Sequence, residues 1–159
     1  MRIETRHHYD APPGAVHAML ADPAFWASAL GGQTTACQAN AIAGGVRVTA
    51  DLPAPAQMRR FTGDTMRITL EATWQPLAGG KGWSGPVSLQ AGKLPAAFLG
   101  ASAITADGSG STVVYSGELS VRLPLVGKAI AEQAAPQLRA VIDAQQPLGA
   151  RWLADHPAA

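Results

Sequence analysis

Polar and apolar residues alternate from the start of the chain. In "RIETRHHY", Ile3, Thr5, His7 and Tyr9 fall on one face, and Arg2, Glu4, Arg6 and His8 on the other, the pattern of a half-buried strand. The next residues, "DAPPGAVHAML", carry helix-start chemistry, with Asp10 as a candidate cap, prolines in the first turn and an apolar side of Val16, Met19 and Leu20. A second start follows in "ADPAFWASALGG", where Asp22 can cap, Pro23 suits the first helical position and Gly31 can terminate. From Gln33 the period returns to two. "TTACQANAIA" is a weak strand, Gly44-Gly45 a hairpin turn, and "GGVRVTADLP" a clearer strand. The strongest alternation is "TMRITLEATW", with Met66, Ile68, Leu70, Ala72 and Trp74 on one face. "WSGPVSLQAG", "PAAFLGASAIT" and "TVVYSGELSVRL" continue the series, the last with Val113, Tyr115, Leu119 and Val121 aligned.

After Pro124 the period lengthens. Ile130, Ala134, Leu138, Val141, Gln145, Leu148 and Trp152 recur at steps of three and four, one seam along a helix. Pro136 and Pro147 interrupt it. A proline in a helix interior removes a hydrogen bond at a cost of roughly 3 kcal/mol. Either Pro136 kinks a long helix, or it starts a fresh segment and leaves "PLVGKAIAEQAA" as a separate turn. A kinked helix cannot lie flush on a curved sheet, so a cleft between the two is expected. The order is strand, two helices, five or six strands, then a long helix. This predicts an α+β fold, an antiparallel sheet of six or seven strands with its apolar face covered by helices.

Composition narrows the picture. At 159 residues one domain is the simplest reading, burying roughly 70% of the surface its unfolded chain exposes. Hydrophobic residues make up 47% and charged ones 14%, with a net charge of +1. That balance gives no footprint for nucleic acid or an anionic membrane. The charge-free run 23–46 contains Gly31, Gly32, Gln33, Gln38 and Asn40, too polar for a membrane span. The first ten residues carry charge where a signal peptide would be apolar. A cytoplasmic protein with no integral membrane element is expected.

Candidate chemistry is sparse. The single cysteine, Cys37, excludes an intramolecular disulfide and reads as a small packing residue. "GKGWSG" matches G-x-G-x-x-G, but Pro86 and a strand follow where a dinucleotide site needs a helix N-terminus. His7 and His8 are adjacent on a strand and point to opposite faces, so they cannot share a metal ion. His8 and Asp10 share a face without an evident third ligand. His7, on the inward phase, is either a core histidine satisfied by a neighbour such as Tyr115, or a polar anchor or general acid/base for a ligand. Arg67 with Glu71, or Glu118 with Arg122, could form surface ladders.

The opening "HHYDAPPGAVHAMLADPAFW", with its "APPxxV" and "DP" helix starts, and the junction "VRLPLVGKAIAEQ" resemble the helix-grip fold of the START-like superfamily, also called SRPBCC or polyketide cyclase/dehydrase-like. With "FTGDTMRITLEATW" and "RWLA", the chain is similar to an actinobacterial family of that superfamily known only as a domain of unknown function. The resemblance spans nearly the whole chain, as a single domain over residues 1–159. It implies a curved sheet wrapped around the C-terminal helix, with an apolar cavity between them where relatives bind lipids, sterols, polyketides, quinones or plant hormones. Some relatives are enzymes, and fold alone does not settle function.

The leading expectation is binding or carriage of a hydrophobic small molecule such as a lipid, polyketide or quinone. Its walls are expected from His7, Tyr9, Trp26, Phe61, Ile68, Leu70, Trp74, Phe98, Tyr115, Leu138 and Ile142, with His7 and Tyr115 fixing orientation; whether Phe61 acts as a lid is left open by the sequence. No catalytic residue, metal or cofactor is assigned, and a weak homodimer is allowed. The alternatives are a cyclase- or dehydrase-like enzyme using His7 or Tyr115, and a protein-interaction module.

Overall fold

A computed structural model describes residues 1–31, 36–54, 56–92 and 94–157. Strand β1 (Arg2–Tyr9) is followed by helices α1 (Pro13–Leu20) and α2 (Pro23–Gly31), then β2 (Ala36–Ile42) and β3 (Gly45–Pro53). The Thr34–Thr35 start expected for β2 lies outside the described residues. A short helix α3 (Arg59–Thr62) leads to β4 (Thr65–Thr73), the two-residue β5 (Gln75–Pro76), β6 (Gly82–Ala91), β7 (Ala96–Asp107) and β8 (Gly110–Val121). The chain closes with α4 (Gly127–Asp143) and α5 (Gln145–Asp155).

The strands form one antiparallel sheet in the order β2-β3-β4-β6-β7-β8-β1, with β5 added to β6. Seven main strands agree with the six or seven expected, and β5 is an eighth that the pattern does not reveal. Register sets inward side chains against each other, Leu70 opposite Leu89 and Phe98 opposite Leu119. Gly44 turns β2 into β3 with a φ of 78°, where a side chain would be strained. The "GKGWSG" segment runs into β6 rather than a helix, so it cradles no pyrophosphate.

The two early helices start differently. At α2, Asp22 Oδ1 accepts the Ala24 N–H at 2.9 Å. Pro12 occupies the cap of α1 with no side-chain bond. Asp10, the expected cap, instead lies 3.4 Å from His8 Nε2.

Helix α4 continues through Pro136, so "PLVGKAIAEQAA" is not a separate turn. Pro136 lies on the exposed face, where water can satisfy the carbonyl it frees. The interruption falls instead at Ala144. Pro147 sits in the first turn of α5, where N–H groups have no intrahelical partner to lose. Helix α4 packs on β8 and β1, and α5 on β1, α1 and α2. Gly149 makes the second contact close: a Cβ there would come within 2.7 Å of the Tyr9 ring.

On the outer face the ion pairs run across strands. Arg67 Nε donates to Asp51 Oδ1 at 2.8 Å, and Arg47 pairs with Glu71. The Arg67–Glu71 and Glu118–Arg122 ladders do not form. Residues four apart on a strand are separated by roughly 13 Å, whereas cross-strand neighbours are about 5 Å apart. No helix among the described residues is long and apolar enough to cross a membrane.

A candidate ligand-binding cavity

The inward face of β4 builds the site. Met66, Ile68, Leu70, Ala72 and Trp74 all border empty space between the sheet and α4. An outer chamber of about 180 Å³ is lined by Met66 and Ile68 of β4, Ala96, Ala97 and Phe98 of β7, and Ala134, Gln137, Leu138 and Val141 of α4. Leu52, Pro53, Met58 and Leu94 edge it on the side of the β3–β4 and β6–β7 connections. An inner chamber of about 50 Å³ lies against Trp26, Leu70, Trp74, Tyr115, Ile142 and Gln145. Ile68, Leu89, Phe98, Leu138 and Val141 border both chambers, so the two are neighbours along α4.

No charged side chain is among the described residues of either wall. Polar groups are few. The Trp74 indole N–H is committed to Ser102 Oγ at 3.3 Å. The Tyr115 hydroxyl donates to Gln145 Oε1 at 3.5 Å. Burial, with Tyr9 nearby, holds the Tyr115 phenol far above its ordinary ionisation range, so it stays a neutral donor.

Of the expected wall residues, the structure brings Trp26, Ile68, Leu70, Trp74, Phe98, Tyr115, Leu138 and Ile142 together around the chambers. His7, Tyr9 and Phe61 are not among them. His7 is buried, but its Nε2 lies 3.0 Å from Asp143 Oδ1, so its neighbour is the last residue of α4 rather than the Tyr115 hydroxyl. A carboxylate at a helix C-terminus is poorly placed against the helix dipole, and the imidazole offsets this. His7 meets Tyr115 only edge-on, with ring centroids 5.8 Å apart. Its Nδ1 is buried without a protein partner. Tyr9 packs against the α5 glycine, and burial pushes its hydroxyl up to about 12.

Phe61 is partly exposed under the Arg60 guanidinium, 4.8 Å from the ring centre. It lines neither chamber; Met58, three residues earlier, supplies the side chain that reaches the outer one. The polar wall residues missed from the sequence are Gln137 and Gln145. The signal for Gln145 was present: it is the one non-apolar position on the C-terminal seam.

The remaining candidate groups have structural surroundings. His8 has Asp10 and Asp107 at 3.4 Å on opposite ring nitrogens, which aims the carboxylates apart rather than at one ion. His17 stacks on Trp83 at 4.6 Å. Cys37 packs against the core, and burial raises its thiol, which weakens it as a nucleophile.

Residues 4–153 match the family model described as "Protein of unknown function (DUF2505)". The chain belongs to this family. A search of curated proteins finds no match. Solved structures share the fold at low identity. The protein TTHA0849 from Thermus thermophilus superposes with a TM-score of 0.69 at 14% identity, covering 99% of this chain and 100% of that one. Human STARD10 gives 0.63 at 10% identity, covering 98% and 66%. A START superfamily protein from Mycobacterium smegmatis gives 0.58 at 12% identity, covering 92% and 94%. This DUF2505 member therefore has the START-like, helix-grip fold that its sequence resembles.

Proposed function

We propose that the chain binds and carries a hydrophobic small molecule between the sheet and α4. The carrying observation is the pair of neighbouring chambers whose described walls hold no charged group. Apolar burial contributes about 25 cal/mol per Å² before the costs of association. The reading agrees with the ligand class that the START-like resemblance implies.

The geometry gives less support to a cyclase- or dehydrase-like enzyme. His7, its candidate acid/base, is held by Asp143 away from the described walls. Tyr115 borders the cavity, but its raised ionisation makes it a poor base. An interaction module would call for a filled core with an exposed apolar groove, and the space between the sheet and α4 gives that reading less support.

The direct test is native mass spectrometry of freshly purified protein, followed by analysis of its organic extract. An apolar compound at near-stoichiometric amount is the expected result. A ligand-free protein that also takes up no neutral aromatic compound at millimolar concentration would overturn the reading.

A further inference from the structure

We propose that the site selects a neutral, compact compound of one or two rings, with its ketone-type carbonyl seated in the inner chamber between the Tyr115 hydroxyl and the Gln145 carboxamide. The inference rests on the carrier reading and specifies its ligand.

Size sets the first limit. An apolar cavity of roughly 150 Å³ holds benzene, and the outer chamber is about 180 Å³. One ring or a fused pair suits that volume. The inner chamber, at about 50 Å³, is too small for a ring but fits a carbonyl and the carbon beside it.

Charge sets the second limit. A carboxylate, phosphate or amine would be taken from water with no opposite charge on the described walls, a cost of several kcal/mol or more. The ligand is therefore neutral.

Hydrogen bonding sets the third. Tyr115 O–H to Gln145 Oε1, at 3.5 Å, is at the long limit for a hydrogen bond. An inserted acceptor can take over that donor at little loss. The Gln145 carboxamide carries its –NH₂ beside the oxygen that meets Tyr115, and turning the amide over brings that donor into the chamber. Trp74 N–H is already engaged by Ser102. Tyr115 O–H and the turned amide then match the two lone pairs of a carbonyl oxygen, and a ligand lacking that oxygen gains neither bond.

Isothermal titration with three matched naphthalenes tests the assignment: 2-acetylnaphthalene, 2-ethylnaphthalene and 2-naphthoate. The ketone is expected to bind about tenfold more tightly than the hydrocarbon. The carboxylate should bind more weakly than the ketone by on the order of a hundredfold or more. Tyr115→Phe and Gln145→Leu should each cut the ketone's advantage over the hydrocarbon roughly three- to tenfold, and a cooperative thermal transition followed by circular dichroism shows that each variant is folded. Equal affinity for ketone and hydrocarbon, or tight binding of the naphthoate, would overturn the carbonyl assignment and leave the apolar carrier standing. Failure of all three to bind would overturn both.

Discussion

Strands β1 and β4 present the same kind of pattern to the same face of the sheet, and the structure treats them differently. Along β1, Ile3, Thr5, His7 and Tyr9 are each buried and the residues between them exposed. Along β4, Ile68 and Ala72 are buried, but Met66 and Leu70 are only partly so. The cause is what lies opposite. The α4–α5 pair reaches β1 closely, helped by the His7–Asp143 contact and by the missing side chain at Gly149. Over β4, helix α4 presents Ala134, Leu138 and Val141 across a gap. Alternation specifies which face turns inward; the volume of the facing side chains decides whether that face meets a neighbour or a void.

Deleting side-chain atoms from each half should expose this difference most strongly. Ile3 is completely buried in the packed half, so Ile3→Ala is expected to destabilise the fold by about 2–5 kcal/mol. Leu138 already borders both chambers, and has fewer contacts to lose. Leu138→Ala should cost less than about 2 kcal/mol. Urea unfolding of the two variants measures the gap, and equal losses would mean that the cavity half is packed as tightly as β1.

Comparing Tyr9→Phe with the parent at alkaline pH probes the packed half, because Tyr115, also raised by burial, is common to both chains. The Tyr9 hydroxyl titrates near 12 in the folded chain against 10.0 unperturbed. Its folded value is raised, so its contribution is complete below pH 10 and is lost as the pH climbs toward 12, where the unfolded chain ionises first. The loss is on the order of 2–3 kcal/mol. Tyr9→Phe should flatten the fall in melting temperature across that window. If the variant and parent curves run parallel from pH 9 to 12, Tyr9 is not desolvated as the structure has it.

The architecture was legible because it depends on local periodicity. Strand and helix order, the inward phase of β1, β4 and β8, and the C-terminal seam could each be read from a few consecutive residues. The hydrophobic wall was legible for the same reason where it lies on those phases, at Ile68, Leu70, Trp74, Tyr115 and Leu138. The rest required distances between elements. The partner of His7 depends on where α4 ends, and Pro136 suggested an ending where the helix continues. Phe61 sits in the four-residue α3, too short for its pattern to show direction, so its exposure under Arg60 could not be foreseen. Periodicity also missed the depth of the outer chamber, which comes from alanines at 96, 97 and 134 rather than from any large residue.

Adding atoms gives the smallest effect and the cleanest contrast in sign. Ala134 borders the outer chamber, and leucine there retains good helix propensity while occupying empty space. Ala134→Leu is expected to stabilise the protein by about 0.5–2 kcal/mol and to weaken uptake of 2-acetylnaphthalene by filling the same volume. Gly149→Ala, by propensity alone, should stabilise α5 by about 1 kcal/mol. Its Cβ would instead press on the Tyr9 ring at 2.7 Å and on Met19 at 3.1 Å. Both of those side chains are themselves buried, so they have little room to withdraw. Overpacking of this kind costs about 1–3 kcal/mol, which outweighs the propensity gain. One alanine replaced by leucine raises the melting temperature, and one glycine replaced by alanine lowers it. A fall in both would show that the space over β4 is no more able to accept atoms than the contact under α5, and the carrier reading would lose its cavity.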